Sequence, residues 1–107
     1  MTATTLYDLN QDSEDFHAEA HEDYVGLWQI AARTRRGGEI DREQALRIVH
    51  MLLERGLRIG NLTSSGGFIP WSRQEPGLVI DRIRREWIAL GRDPSVNDIA
   101  WFDLASS

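Results

Sequence analysis

The sequence predicts an α+β fold that is mainly helical, with three main helices and one short β-hairpin between the second and the third. Apolar residues recur at helical spacing in three segments, and glycines follow these segments. Two short apolar segments, residues 57–59 and 68–69, flank a polar loop that contains Gly66 and Gly67, which is typical of a hairpin. The length of 107 residues fits one domain with one hydrophobic core.

The N-terminal part of the chain is predicted in two pieces. Residues 1–12 carry little apolar periodicity, so we expect an acidic, loosely ordered arm, followed by a single globular domain over residues 13–107. Ser13 is the expected N-cap of the first helical segment. Gly26 weakens the middle of this segment, so it is either one helix or two, with the firmer part over about residues 24–36.

The second helix has the clearest boundaries. Asp41 and Gln44 form a D-x-x-Q variant of the capping box, and Gly56 follows the last apolar residue, where a left-handed conformation is easiest. The third helix is expected to begin at Pro76, because proline at the first helical position loses no hydrogen bond, and to end at Gly91. A last apolar segment, residues 99–102, is expected as a short helix or an edge strand. The four tryptophans are expected to be structural, since buried aromatic rings bring much apolar surface to a core.

Composition excludes several functional classes. The chain has no cysteine, which excludes disulfides, thiolate zinc sites, iron–sulfur clusters and cysteine nucleophiles. No apolar run approaches the roughly 20 residues of a membrane-spanning helix. The first residues contain neither a basic nor an apolar stretch, so we expect no secretory signal, no membrane contact and a cytoplasmic protein.

Charge is distributed unevenly along the chain. Residues 1–23 contain seven acidic residues and no basic one, a net charge of −7, whereas the remainder carries twelve arginines and ten acids, a net charge of +2. Such an acidic segment either keeps the protein in solution or steers it to a basic partner protein. For the second case, aromatic residues among the acids provide anchors. The candidate partner-binding residues are Asp8, Asp12, Glu14, Asp15, Phe16, Glu19, Glu22 and Asp23.

The sequence contains no convincing catalytic or cofactor site. His17 and His21 stand four residues apart, as two zinc ligands on one helix face would, but no clear third ligand accompanies them. The order of residues also differs from the H-E-x-x-H of metalloproteases, because Ala18 and not a glutamate follows His17. The clustered hydroxyls of residues 63–65 have no partner base in a recognisable motif. We therefore expect no metal, no cofactor and no catalytic residue, hence a protein that is not an enzyme.

The order of a helix that ends in glycine and a hairpin with glycines at its tip resembles the recognition helix and wing of winged-helix domains, over residues 24–70 at most. That resemblance implies DNA binding. If the folded body binds nucleic acid, its phosphate contacts would come from the hairpin tip and from two arginine clusters, one at residues 33–36 and one at residues 82–92. An isoelectric point near 5.1 and the acidic N-terminal segment argue against this, so we expect no nucleic-acid partner.

Five short strings make the chain similar to small proteins of high-GC bacteria that have no assigned activity. The similarity spans residues 24–102 and leaves the acidic arm outside. Size, acidity and the lack of catalytic motifs also resemble the immunity proteins that neutralise polymorphic toxins. The strings are Tyr24-Val25-Gly26-Leu27-Trp28, Leu52-Leu53-Glu54-Arg55-Gly56-Leu57, Gly67-Phe68-Ile69-Pro70-Trp71, Arg85-Glu86-Trp87 and Asp98-Ile99-Ala100-Trp101-Phe102.

Taken together, these features predict a non-enzymatic protein-binding domain. It would be an immunity-type inhibitor or a regulatory adaptor whose acidic surface docks on a basic partner protein. The alternative is a winged-helix DNA-binding regulator.

Overall fold

The computed structural model describes residues 8–104 of the chain. Within them the protein has four helices and four strands, so the α+β class is confirmed, with more elements than the sequence predicted. In chain order they are α1 (Leu9–Glu19), β1 (Val25–Gly26), α2 (Leu27–Arg33), α3 (Arg42–Glu54), β2 (Leu57–Leu62), β3 (Phe68–Pro70), α4 (Pro76–Leu90) and β4 (Trp101–Leu104).

The strands form one antiparallel sheet in the order β1-β4-β2-β3. The predicted hairpin is confirmed as β2 and β3. The last apolar segment is a strand, as one of the two alternatives had it, but the prediction of an edge strand is wrong because β4 lies between β1 and β2. Phe102 of β4 pairs with Val25 on one side and with Ile59 on the other, and all three side chains are fully buried. Pairing on both sides satisfies the backbone of this apolar segment.

Helix α3 lies at the centre of the molecule and packs against α1, α2, α4 and β2. Its predicted boundaries are confirmed. The Asp41 carboxylate accepts a hydrogen bond from the Gln44 backbone N–H at 3.1 Å, and Gly56 has φ of +97°. The Asp41 N–H donates to the Thr34 hydroxyl at 3.0 Å, so Thr34, itself fully buried, ties the end of α2 to the start of α3.

Helix α1 begins earlier than the sequence predicted. Asp8 is its N-cap and accepts from the Gln11 N–H at 3.0 Å. Ser13, the expected N-cap, lies inside the helix, where it is fully buried and its hydroxyl donates to the Asn10 carbonyl at 2.9 Å. Residues 9–12, which the sequence assigned to a loose arm, thus form the first turn of α1. Residues 1–7 of that arm lie outside the described part of the chain.

The first helical segment is two helices, which is the second of the two predicted alternatives. The firmer part predicted over residues 24–36 is shorter, because residues 25–26 form β1 and α2 spans only Leu27–Arg33. The Gly26 N–H donates to the Gln29 side-chain oxygen at 2.7 Å and so starts α2. A methyl group at Gly26 would come within 2.6 Å of the Trp28 indole. The absence of a side chain therefore lets the indole lie flat over the β1–α2 junction.

The segment between α4 and β4 holds two non-glycine residues in the left-handed region, Asn97 at φ +71° and Ile99 at φ +65°. This conformation is costly for a β-branched residue, about 1–3 kcal/mol. Surrounding bonds hold it in place. The Ile99 carbonyl accepts from the Asn61 side-chain amide at 2.8 Å, and Asp98 accepts from Arg92 at 2.7 Å and from the Ser95 N–H at 2.8 Å.

Two glycines provide a matched test of this packing. In β2, a methyl group at Gly60 would overlap with the Ile69 carbonyl oxygen of the paired strand, whereas a methyl group at Gly77 in α4 meets no atom within 4 Å. We expect Gly60→Ala to lower the free energy of unfolding by about 1–3 kcal/mol, the usual cost of overpacking. Gly77→Ala should be neutral or stabilise by up to about 1 kcal/mol through helix propensity. Urea denaturation measures both, and equal stability of the two variants would contradict the tight β2–β3 packing.

Candidate functional site

The predicted partner-binding residues all lie on α1 and the turn that follows it, but they do not form one free surface. Phe16, the expected aromatic anchor, is only 3% exposed and belongs to the hydrophobic core. A buried ring cannot contact a partner, so the prediction of Phe16 as an anchor is wrong. The helical period turns it inward with Ala20, while the charged residues of α1 face α2 or solvent.

Arg33 of α2 accounts for two of the acids. Its guanidinium lies 3.0 Å from the Asp12 carboxylate and 3.0 Å from that of Asp15, and it also stands 4.8 Å above the Phe16 ring. Burial lowers the pKa of Arg33, but the hydrogen bonds to Asp15 and Asp12 outweigh it and the pKa is raised. The hydrogen bonds from Gln11 and then Arg33 lower the pKa of Asp15. These charges therefore fasten α1 to α2.

Glu19 continues the same contact one turn further along α1. Its carboxylate accepts from the Gln29 side-chain amide at 2.8 Å. Asp12, Asp15 and Glu19 thus form a polar seam between α1 and α2. The sequence did not predict this seam, because Arg33 and Gln29 are distant from these acids along the chain. The signal available was that the acids recur every three to four residues along one side of α1.

Four of the predicted acids are exposed and lie outside this seam, and we call them the acidic face: Asp8, Glu14, Glu22 and Asp23. Glu14 has only a long contact of 3.8 Å to Arg55, and Asp23 accepts from the Tyr24 N–H at 2.7 Å. The Glu22 side chain has no partner among residues 8–104. The acidic face lies along the outer side of α1 and on the turn after it.

The two histidines of the first segment are neighbours. Their rings meet edge to face, with centroids 5.2 Å apart, and His21 lies in the turn beyond the end of α1. Within residues 8–104 no cluster of three or more potential ligands surrounds them. The fold of this part of the chain therefore brings no third ligand to His17 and His21.

The winged-helix resemblance predicted over residues 24–70 would make α3, the helix before the β2–β3 hairpin, the recognition helix. Here α4 packs along α3, and Arg84 of α4 donates to the Glu43 carboxylate at 2.8 and 3.2 Å. This hydrogen bond lowers the pKa of Glu43 and raises that of Arg84. The exposed positions of α3 include both acidic and basic side chains: Glu43, Arg47, His50 and Glu54. The helix expected to read DNA is thus partly covered and carries no excess of positive charge.

An arginine-rich groove of about 640 Å³ lies between the start of α4 and the segment after β3. Trp71 is its floor; the Arg82 guanidinium stands 3.6 Å above the indole ring, and the indole N–H donates to the Asn61 side chain at 2.7 Å. The sequence did not indicate that Trp71 and these arginines lie in one groove. The pattern that could have joined them is Leu78, Arg82 and Arg85, which stand at helical spacing on one side of α4.

Removing Arg33 tests the seam between α1 and α2. Arg33→Gln leaves the Asp12 carboxylate, whose side chain is 12% exposed, without its cation. We expect a loss of about 1–3 kcal/mol, the cost of stranding a charged group in a buried site. Arg47→Gln is the control, because Arg47 is exposed on α3. It should change the stability by no more than about 0.5 kcal/mol.

Lowering the pH should reduce the difference in stability between the Arg33→Gln variant and the native protein. The pKa of Asp15 is lowered in the folded state, so its contribution to stability is fully present above the ordinary value of 3.8 and is lost as the pH falls through the lower pKa of the folded state. Thermal melts from pH 7 to pH 2 measure this. A difference that is constant over the whole range would contradict an ionic seam.

No helix of residues 8–104 is both long and apolar enough to cross a membrane. No protein-family model, curated protein or solved structure matches the chain.

Proposed function

We propose that this protein is a non-enzymatic protein-binding domain that docks on a basic partner protein through its acidic face. One observation carries the proposal: Glu14, Glu22 and Asp23 are exposed and have no close ion pair among residues 8–104, although the chain contains twelve arginines. Arg33 neutralises only the inner acids Asp12 and Asp15. The outer side of α1 and its turn therefore keep a negative field.

Such a field supports binding in two ways. Clustered like charges steer an oppositely charged protein and raise the rate of encounter. Complementary charge also disfavours partners of the wrong sign. An inhibitor or adaptor of this kind acts by covering a basic site on its partner, so the domain needs no catalytic group of its own. Immunity-type inhibition is one form of that mechanism.

A winged-helix DNA-binding regulator is the second candidate, because the order of α3 followed by the β2–β3 hairpin favours it. Two features weigh against it. The Arg84–Glu43 contact places α4 over the start of α3, and the hairpin loop, residues 63–67, contains no basic residue to contact a phosphate.

The test uses the full chain with substitutions confined to exposed side chains, since deletion of α1 would remove core residues. In Glu14→Gln/Glu22→Gln the acidic face loses two charges. The control, Glu39→Gln/Glu54→Gln, loses two exposed charges elsewhere. Affinity capture from a lysate of the source organism, quantified by mass spectrometry, should recover a basic protein. Its affinity for the acidic-face variant should fall about tenfold, a change of roughly 1.4 kcal/mol.

Salt gives an independent readout of the same interaction. The Debye length falls from about 8 Å at physiological ionic strength to about 3 Å at 1 M, so high salt should release the partner. If the partner bound the acidic-face variant and the control variant equally at every salt concentration, the proposal would be contradicted. Tight binding of duplex DNA that Arg47→Ala weakens would establish the second candidate instead.

A further inference from the structure

The outer side of α4 is a second surface whose charge is opposite to that of the acidic face. Its inner residues Val79, Ile83 and Trp87 are buried in the core. Its outer residues border the groove over Trp71, which we call the arginine groove and define by Trp71, Arg73, Leu78, Arg82 and Arg85. The groove is therefore built on a helix that the core holds rigidly in position.

The arginines of the groove are not all neutralised. Arg82 pairs with Glu86 at 2.7 Å on the same helix. Arg73 contacts Glu75 at 3.4 Å, but both side chains are mostly exposed, and such pairs contribute little. Arg85 donates only to the Asp81 backbone carbonyl, at 3.3 Å, and has no carboxylate partner among residues 8–104. Arg73 and Arg85 thus remain available to an incoming anion.

The groove also offers apolar surface. The Leu78 side chain, one turn before Arg82, is 48% exposed, and the groove continues inward to Val79 and Trp71. A ligand that matches this lining carries both negative charge and an apolar group.

A protein segment fits the groove better than a nucleic acid does. Single strands bind by stacking their bases on open aromatic faces. The Trp71 ring is only 7% exposed and Arg82 already covers it at 3.6 Å, so no open face is left for a base. Asp81 lines the groove, and Glu75 and Glu86 pair with Arg73 and Arg82, so a continuous phosphate backbone would meet three carboxylates. A short segment can instead bring single carboxylates to Arg73 and Arg85.

We propose that the arginine groove is a docking site for a short acidic segment of a partner protein. Carboxylates of the segment pair with Arg73 and Arg85, since a guanidinium binds carboxylates in a fork of two hydrogen bonds. An apolar side chain of the segment packs on Leu78. The site is distinct from the acidic face and does not depend on the function proposed for it.

A displayed library of short random peptides, selected against the full-length protein, tests the groove without assuming a sequence. The peptides that bind should be acidic and carry at least one apolar residue. Arg85→Glu should weaken them about tenfold or more, because a repulsive contact replaces an attractive one. Arg47→Glu, an equal charge reversal on the exposed side of α3, should leave binding within about twofold of the native protein. Leu78→Ala, which changes no charge, should also weaken binding.

Thermal melts of each variant establish that it is folded. The acidic-face variant Glu14→Gln/Glu22→Gln should bind the selected peptides as the native protein does, which separates this site from the proposed function. Selection of no peptides, of basic peptides, or of peptides that Arg85→Glu still binds would overturn the proposal. Stronger binding of single-stranded oligothymidylate than of any selected peptide would overturn it as well.

Discussion

The pairing of β4 with both β1 and β2 is the interaction on which the rest of the fold depends. β1 has only two residues and its sheet neighbour is β4, so without β4 it would have no strand to pair with. Phe102 joins Val25 to Ile59 across the three strands and is fully buried. The C-terminal segment therefore links the start of the domain to its middle. The strained backbone at Ile99 fits this requirement, because the chain must turn sharply there to enter the centre of the sheet.

This pairing also decides which surfaces are available for binding. To reach the centre of the sheet, the chain first runs along α4, and α4 packs on α3. A helix that would otherwise lie open, as in a DNA-reading domain, becomes the core of the molecule. Two opposite charged surfaces are left at the outside: the acidic face on α1 and the arginine groove on α4. Each surface is built in part on a helix whose inner side is fixed in the core.

Local sequence signals predicted α3, α4 and the hairpin because their determinants lie within each element. Asp41 and Gly56 bound α3, and Pro76 and Gly91 bound α4, through backbone chemistry that acts over a few residues. The position of β4 could not be predicted in this way, since a short apolar segment carries no information about which strands it will join. The burial of Phe16 follows from helical periodicity, but the Arg33 contacts with Asp12 and Asp15 depend on how α2 packs. The division of the acids between the seam and the acidic face therefore required the fold.

Hydrogen exchange tests the central role of β4 most directly. If the fold depends on β4, the amides of β4 and of the inner turns of α4 should exchange only through the same global unfolding that exposes α3. Their exchange free energies would then depend equally on denaturant concentration. If β4 and α4 instead exchanged together through a separate opening of lower free energy, with α3 still protected, the domain would stand without β4. That result would contradict the account and would restore α3 as a surface open to a ligand.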